Sequence, residues 1–304
     1  MKVIRSGLLG FCMGVRRAVD AARNESLSCG RVYTLGPLIH NPRVLGELKE
    51  RGIEVLEDSG GLPEDKHSDL LTNGLKRQNA PETVLNSTVI IRAHGVSPHA
   101  ENELIRRGAR IVDATCPHVK ASQNKARSLS RDGYFIFLAG EENHAEITGI
   151  RGYIEGHCCI VANPAEAERA AAELAKERPS PKTALMGQTT ISAEEYRAIG
   201  QAIGSYFPGL AIIDTLCTAT RERQNALREM AGRVDAFIIA GGRGSANTRR
   251  LLSIAESCGK KAWIVESSAE IPEQIRSYET VGLCSGTSTP DSLIDEIENA
   301  LEAF

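Results

Sequence analysis

Three cysteines recur at nearly equal spacing in this chain, and each directly precedes a helical pattern. Cys12, Cys116 and Cys217 lie about one hundred residues apart. The stretches that follow them are rich in Ala and Arg with little Gly, and Pro117 stands just inside the second helix start. A repeat of this length constrains the chain to a modular fold, in which each third adopts the same kind of supersecondary unit.

Short apolar runs that end in polar residues alternate with the helical patterns. These runs cover residues 32–35, 89–92, 134–139, 183–186, 236–240 and 280–283. Strands that alternate with helices indicate parallel α/β units, in which ligands collect at the carboxyl ends of strands and at helix N-termini. We therefore predict three α/β domains, residues 1–115, 116–213 and 214–304, the last with a C-terminal tail. Packed around a pseudo-threefold axis, they would bring the cysteines and the polar strand ends together.

The composition argues against several classes of protein. Aromatic residues make up 4% of the chain and the net charge is −3, so nothing suggests nucleic-acid binding. The first residues lack the features of a targeting segment, and no run approaches the roughly 18 apolar residues of a membrane span. Eight cysteines in such a chain argue against a disulfide scaffold. We predict a cytoplasmic protein without a membrane or nucleic-acid partner, monomeric by default.

The repeat separates three cysteines from the other five. A single cysteine in a cytosolic protein is more often a small buried hydrophobe than a ligand. That interpretation is kept for the remaining cysteines, which are Cys29, Cys158, Cys159, Cys258 and Cys284. It is weaker for the three repeat cysteines because they occupy the same place in the repeat. A helix N-terminus also favours the thiolate, which is the form that binds metal.

Several metal groups use cysteine ligands, and the spacing discriminates among them. Zinc sites usually draw ligands in close pairs such as C-x₂-C, and the chain has none. The compact cysteine spacing of bacterial ferredoxins is also absent. Three thiolates from three domains suit a cubane cluster with one iron left uncapped. Such an iron is a Lewis acid that is open to a substrate oxygen.

Polar residues at the strand ends suggest what the site binds. The set offers imidazole, hydroxyl and amide donors beside glycine-rich turns, and it comprises His40, His94, Ser245, Asn247 and Ser288. Such donors, together with helix N-termini, suit a phosphate or diphosphate. Each is a weak signal alone, since a lone histidine is usually structural and a serine at a helix start is usually a cap. At equivalent strand ends they favour an anion site.

A dinucleotide site is an alternative for one of these loops. Gly242-x-Gly244-x-x-Asn247 follows an apolar run, and Glu266 lies about where an acid would bind a ribose. The third glycine of that fingerprint is missing, so we rank a nicotinamide-dependent oxidoreductase below the diphosphate interpretation.

Seven short motifs, taken together, resemble the 4-hydroxy-3-methylbut-2-enyl diphosphate reductase family. They are GFCMGV (10–15), IHN (39–41), RAHGV (92–96), DATCP (113–117), HAE (144–146), QTT (188–190) and DTLC (214–217). They stand in the family's order and span nearly the whole chain. The resemblance implies an oxidoreductase that performs the last step of non-mevalonate isoprenoid synthesis.

The resemblance also implies an architecture and a set of residue roles. Three pseudo-symmetric α/β domains would form a trefoil-like arrangement around a central [4Fe–4S] cluster with three ligands, Cys12, Cys116 and Cys217, and one open iron. The diphosphate would be held by His40, His94, Ser245, Asn247 and Ser288, with His144 lining the same pocket. Glu146 matches the acid that delivers a proton, and Thr189 would lie close to the substrate hydroxyl.

The implied reaction is a two-electron reductive dehydroxylation. The substrate is a small allylic diphosphate, and the products are isopentenyl and dimethylallyl diphosphate. Electrons would come from ferredoxin or flavodoxin. A non-catalytic iron–sulfur sensor or electron-transfer protein with the same ligands stays open as an alternative at this point, as does the nicotinamide enzyme.

Two features depart from the family's pattern. Ala246 stands where the family often has a second serine, so one hydrogen bond to the diphosphate would be missing or replaced. The polar segment 65–87 is longer than usual, and we interpret it as a surface loop.

Overall fold

The computed structural model describes residues 1–28, 30–56, 84–177 and 180–304. Its strands are β1 (Lys2–Arg5), β2 (Val32–Leu35), β3 (Ile53–Leu56), β4 (Thr88–Ile91), β5 (Arg110–Asp113), β6 (Phe135–Ala139), β7 (Cys158–Val161), β8 (Thr183–Gly187), β9 (Ala211–Ile212), β10 (Ala236–Ala240), β11 (Lys261–Val265) and β12 (Thr280–Ser285). Its α-helices are α1 (Met13–Glu25), α2 (Pro42–Glu50), α3 (Pro98–Arg106), α4 (Pro117–Arg131), α5 (Ala145–Arg151), α6 (Pro164–Glu177), α7 (Ala193–Gly204), α8 (Thr218–Ala231), α9 (Ala246–Ser257) and α10 (Asp291–Glu302). Among these helices, none combines the length and the apolar character needed to cross a membrane.

The strands form three four-stranded parallel sheets, in the orders β3-β2-β4-β5, β7-β6-β8-β9 and β1-β12-β10-β11. The central strands are continuous apolar runs because both faces of each sheet are covered by helices. In the first sheet, for example, Ile90 packs under α1 and α2 while Val89 and Ile91 face the opposite cluster. The predicted α/β class with three parallel units is confirmed. All six apolar runs are strands, with bounds that shift by only one or two residues.

The three sheets are connected in a cyclic manner. β1 pairs with β12 in parallel, Lys2 opposite Thr280 and Arg5 opposite Leu283, so the first strand completes the last sheet. The domain limits predicted from the sequence include this strand in residues 1–115, whereas its hydrogen-bonded partner β12 lies within residues 214–304. Only Val3 and Ile4 of its four residues are apolar, and so short a segment carries no signal for its partner, which only the packing of the whole chain selects.

The same cyclic order explains where the cysteines lie. Each sheet has one edge strand, β5, β9 or β1, that leads directly into a cysteine and then into the first helix of the next unit. Each cysteine N–H donates to a carbonyl just beyond a central strand: Cys12 to Thr287 at 3.1 Å, and Cys116 to Ala93 and Cys217 to Thr189 at 2.9 Å. Three equivalent backbone bonds therefore fix the cysteines at the carboxyl ends of three sheets.

The cysteines are also the N-cap residues of α1, α4 and α8, and their side chains make no cap hydrogen bond. Other helices of this chain begin with side chains that do, such as Asn41, Ser97 and Ser192, each of which accepts a backbone N–H. A serine or aspartate would cap these three helices better. The cysteines thus occupy positions where local helix stability favours a different residue, which indicates a functional requirement for the thiol.

Two features predicted from the sequence lie outside the described residues. Cys29 is one of them, and residues 65–83 of the polar segment are the other.

Candidate functional site

The predicted site residues line one central cavity of 80 Å³. They are Cys12, His40, His94, Cys116, His144, Glu146, Thr189, Cys217, Ser245, Asn247 and Ser288. The structure thus brings together every residue that the sequence singled out, from all three units. What each of them does is a separate question, which their geometry and electrostatics address.

The three thiols have the chemistry of soft metal ligands. Burial raises the pKa of the Cys12 and Cys116 thiols, and the backbone N–H groups of the helices that follow them lower it. Negative charge on Cys217 further raises the pKa of Cys12, and negative charge on Cys12 or Cys217 further raises the pKa of Cys116. All the described cysteines are free thiols. Three converging sulfurs beside helix N-termini fit a group that binds thiolates, such as an iron–sulfur cluster.

Glu146 and Thr189 form a buried acid–hydroxyl pair. Glu146, in the first turn of α5, is 2% exposed. Its Oε1 accepts the Thr189 N–H at 2.6 Å and its Oε2 accepts the Thr189 hydroxyl at 2.9 Å. Burial raises the pKa of Glu146 to about 7, against the lowering effect of these hydrogen bonds. A carboxyl group that holds a proton near neutral pH has the property required of a general acid.

This pKa has a consequence for stability. The pKa of Glu146 is higher in the folded state than in the unfolded state, so its protonated form stabilises the fold. This contribution to the free energy of unfolding is fully present below the unfolded-state pKa of about 4.5 and is lost as pH rises through about 7. Glu146→Gln keeps the shape of the side chain without its charge. The gain in the free energy of unfolding of the metal-free protein should therefore be larger at pH 8 than at pH 5, by more than about 1 kcal/mol. Denaturant unfolding at both pH values measures this. Glu155→Gln, at an exposed carboxylate, is the matched control. An equal gain in stability from Glu146→Gln at both pH values would contradict the prediction.

Three histidines form the wall next to this pair. The ring centroids of His40 and His94 lie 4.7 Å apart, and His144 lies 5.9 and 5.4 Å from them. Burial lowers the pKa of all three, to about 4 for His144, so all three rings are neutral at pH 7. The His40 Nε2 and His94 Nδ1 atoms are buried without a hydrogen-bond partner among the described residues. This cluster is therefore built to meet a ligand.

The tautomer of His144 shows what kind of ligand that is. One nitrogen from each ring lies within 4.8 Å of the others, which is a spacing that a metal ion also accepts. However, His144 Nδ1 accepts the backbone N–H of Glu146 at 3.2 Å, so the proton of the neutral ring is on Nε2. An Nε2–H group donates to an anion and offers no lone pair to a metal. The histidines thus favour a phosphate-type ligand.

The third unit adds amide and hydroxyl groups. Asn247 is 2% exposed, and both heteroatoms of its side chain lack a partner within the described part of the chain. Ser245 caps α9, its Oγ accepting the Thr248 N–H at 3.4 Å, and its hydroxyl proton stays available for a ligand. The Ser288 hydroxyl donates to the His40 carbonyl at 3.4 Å, a long bond that a closer acceptor would replace. Buried polar atoms without partners are costly, which supports their use in binding.

A larger pocket of 620 Å³ adjoins this cavity, and His40 and His144 line both. Its other lining residues include Arg92 and Arg249, and the Arg249 guanidinium pairs with Glu141 across the boundary of the second and third units at 2.7 Å. Two guanidinium groups at the approach to the histidines suit an anionic substrate. Sequence reasoning missed Arg249. The available signal was a cation near the start of α9, where the helix dipole disfavours positive charge.

Glu266, the acid that a dinucleotide site would need, is already engaged within the protein. Glu266 accepts the backbone N–H of Arg243 at 2.8 Å and also pairs with the Arg243 guanidinium at 3.3 Å. The glycine-rich loop itself contacts the first unit, since a Cβ at Gly242 would meet the backbone of His40. This loop therefore belongs to the wall of the central cavity.

Fold and site together define a three-sheet α/β protein whose units contribute thiols, imidazoles and one buried carboxyl group of raised pKa to a shared centre. The chain belongs to the LytB protein family, whose model matches residues 3–302. The "4-hydroxy-3-methylbut-2-enyl diphosphate reductase" of Treponema denticola is 40% identical over 99% of each chain, and that of Aquifex aeolicus is 36% identical over 96% of this chain and 93% of its own.

Solved structures agree with this assignment. The structure titled "(E)-4-Hydroxy-3-methyl-but-2-enyl Diphosphate Reductase, the Terminal Enzyme of the Non-Mevalonate Pathway" is 33% identical, covers all of both chains and superposes with a TM-score of 0.66. The E-1-hydroxy-2-methyl-but-2-enyl-4-diphosphate reductase of Plasmodium falciparum reaches a TM-score of 0.83 over 98% of this chain and 87% of its own. At 24% identity, the latter supports the fold alone.

Proposed function

We propose that this chain is an oxidoreductase that converts 4-hydroxy-3-methylbut-2-enyl diphosphate to isopentenyl and dimethylallyl diphosphate. The substrate takes up two electrons and two protons, its carbon–oxygen bond breaks, and one water leaves. The observation that carries the proposal is the shared cavity, in which three thiols meet a protonated carboxyl group and an anion-binding wall. Full-length relatives that bear the reductase name support it.

The cofactor of this family is an iron–sulfur group, and we propose a [4Fe–4S] cluster held by Cys12, Cys116 and Cys217. With three protein ligands, such a cluster supplies single electrons and an iron with a free coordination position. The three thiols fit it because they are the N-terminal residues of three helices, whose free N–H groups stabilise thiolates. No other described cysteine lines the cavity.

The diphosphate end would be held by the histidines and by the loop of the third unit. His40, His94 and His144 are neutral before the ligand arrives. The negative charge of a diphosphate favours the protonation of His40 and His94, whereas His144, whose Nδ1 accepts the Glu146 N–H, donates through its Nε2–H. The amide of Asn247 and the hydroxyls of Ser245 and Ser288 complete the donors, with Thr189 near the hydroxyl end. Ala246 offers no side-chain donor here.

Glu146 would supply a proton to the departing hydroxyl oxygen. It is the carboxyl group of the cavity that burial keeps protonated near neutral pH, and the Thr189 hydroxyl that it holds extends its reach. This pair also discriminates the enzyme from a sensor, because a protein that only passes electrons has no use for a buried acid. His144 orients Glu146 by accepting its backbone N–H.

We further propose that a ferredoxin or flavodoxin supplies the electrons, because both are one-electron donors, and that the protein acts as a monomer in the cytoplasm. We keep the domain limits 1–115, 116–213 and 214–304 in this proposal, except that β1 belongs to the sheet of the third domain.

Gly14 provides a test of the cysteine arrangement. A Cβ at Gly14 would lie 2.6 Å from the Cys116 sulfur and 3.0 Å from its Cβ. Gly14→Ala should therefore lower bound iron several-fold and destabilise the protein, although alanine is the better helix former by about 1 kcal/mol. Gly46→Ala, at an exposed position of α2 with open space around it, should instead stabilise by roughly 0.5–1 kcal/mol with full iron content. Normal iron in Gly14→Ala would contradict the placement of Cys116.

The function is tested by anaerobic oxidation of a reduced viologen dye, with and without 4-hydroxy-3-methylbut-2-enyl diphosphate. Oxidation that depends on substrate, with both products detected, is the expected result. A protein that carries iron and sulfide but oxidises no dye with this substrate would overturn the proposed activity and favour the sensor.

A further inference from the structure

Arg223, on the inward face of α8, is a buried cation that the proposed function does not use. It is 6% exposed. Its guanidinium donates to the carbonyls of Leu8 and Leu9 at 3.1 and 3.4 Å and to that of Gly10 at 2.7 Å. The Ser285 carbonyl and hydroxyl, each at 3.3 Å, complete its contacts. All of its partners are neutral oxygens of the segment that leads to Cys12 and of the end of β12.

A buried guanidinium normally has a carboxylate partner, because an uncompensated charge is costly in a low-dielectric interior. Within the described ranges, no carboxylate lies in ion-pair distance of Arg223. Burial lowers its pKa, and the groups that most oppose this lowering are Cys12, Cys284 and Cys217. Asp291 is the carboxylate that also acts on Arg223, and its side chain is 67% exposed, so water screens it. Arg223 holds the carbonyl of Gly10, two residues before Cys12, and lies on α8 six residues after Cys217, so its charge is placed between the segments of two proposed ligands.

Arg223 is found in only one of the three repeated units. The equivalent positions of the other two units, at the same distance after Cys12 and Cys116, hold Ala18 and Ser122. Both are buried, so the core tolerates a small residue at this place. One unit alone carries the charge, and the pseudo-threefold packing does not require it.

We propose that Arg223 is the built-in counter-ion of the thiolate-bound cluster and sets its reduction potential, an inference that rests on the proposed cofactor. A cluster with three thiolates gains a further negative charge when it is reduced. A buried cation that is bound to the segment before Cys12 and lies on the helix that follows Cys217 stabilises the reduced form more than the oxidised form and raises the potential. Arg223 is thus a positioning residue for Cys12 and a determinant of how easily the enzyme accepts an electron.

The test is a spectroelectrochemical titration of the cluster in purified, iron-loaded variants. Arg223→Gln removes the charge, and it should lower the ratio of reduced to oxidised cluster about tenfold at a given potential, a shift of about 59 mV to the negative side. Arg223→Lys keeps the charge without the guanidinium fork and should recover most of that shift. Arg17→Gln is the matched control. Arg17 donates to the carbonyls of Thr115 and Asp113 before Cys116, but its side chain is exposed, so water screens it and the potential should stay unchanged.

The outcomes distinguish a role of the positive charge of Arg223 from a role of the main-chain clamp, that is, its hydrogen bonds to the carbonyls of Leu8, Leu9 and Gly10. An iron-loaded Arg223→Gln protein with the wild-type potential would overturn the proposal and leave the proposed function untouched. If Arg223→Gln fails to retain iron, the lysine variant decides. Iron retained by Arg223→Lys supports charge compensation, since charge is what the two residues share, whereas iron lost from both variants would mean that the main-chain clamp is the whole role. A wild-type protein that binds no iron after reconstitution would defeat the cofactor itself.

Discussion

Cys116→Ser is expected to abolish turnover and to strip the protein of most of its iron, the largest effect of any single substitution considered for this chain. Serine matches the shape of cysteine and caps a helix well, so α4 and its sheet should persist. The hydroxyl is a poor ligand for iron next to a thiolate. Iron and sulfide content after anaerobic reconstitution, together with the visible absorption of the cluster, measures the loss.

Cys158→Ser is the matched control for this experiment. Cys158 is half-buried on β7 and does not line the cavity. That variant should keep its iron and its activity. Equal iron in Cys116→Ser and the wild type would show that the cofactor is bound elsewhere, and the proposed ligand set would fall.

Glu146→Gln is expected to lower turnover on the order of 10²-fold or more while leaving the cluster intact, the usual scale for removing a general acid. Glutamine retains the size of the side chain, its amide oxygen can accept the Thr189 N–H, and its NH₂ group can donate to the Thr189 hydroxyl, but it has no acidic proton to give. Because the pKa of Glu146 is about 7 and the protonated form is the active one, kcat/KM of the wild type should fall as pH rises above 7. The residual rate of the variant should lack that fall.

Stopped-flow oxidation of the reduced enzyme by substrate, across pH 6 to 9, separates these effects. Glu155→Gln, at an exposed carboxylate that lines neither pocket, should behave as the wild type. Undiminished turnover in Glu146→Gln would remove Glu146 from the mechanism and point to water as the proton source.

The repeat, the parallel units and the residues that line the central cavity could be predicted from the sequence because each has a local signature. Cys12, Cys116 and Cys217 stand at nearly equal intervals before helices, and a parallel sheet brings such positions to one edge. The partner of β1 has no such signature, since Val3 and Ile4 suit any sheet.

Arg223 was missed for a related reason. In a helix rich in arginine and glutamine, the sequence predicts that one more arginine is solvent-exposed. It is buried only because the segment that contains Leu8 and Gly10, remote in sequence, closes over it. Arg249 likewise gains its place from Glu141 in another unit. Local patterns thus predict what each unit contributes, whereas contacts between units require the assembled structure.

The pairing of β1 with β12 also dictates the order of events in biosynthesis. The strand that leads to Cys12 leaves the ribosome long before the strand that holds it, Thr280–Ser285, is made. Domains generally fold as they emerge, whereas β1 stays without this partner until β12 has been synthesised. The three thiols are therefore expected to come together only after β12 has emerged, and a cluster that needs all three would be inserted after that point.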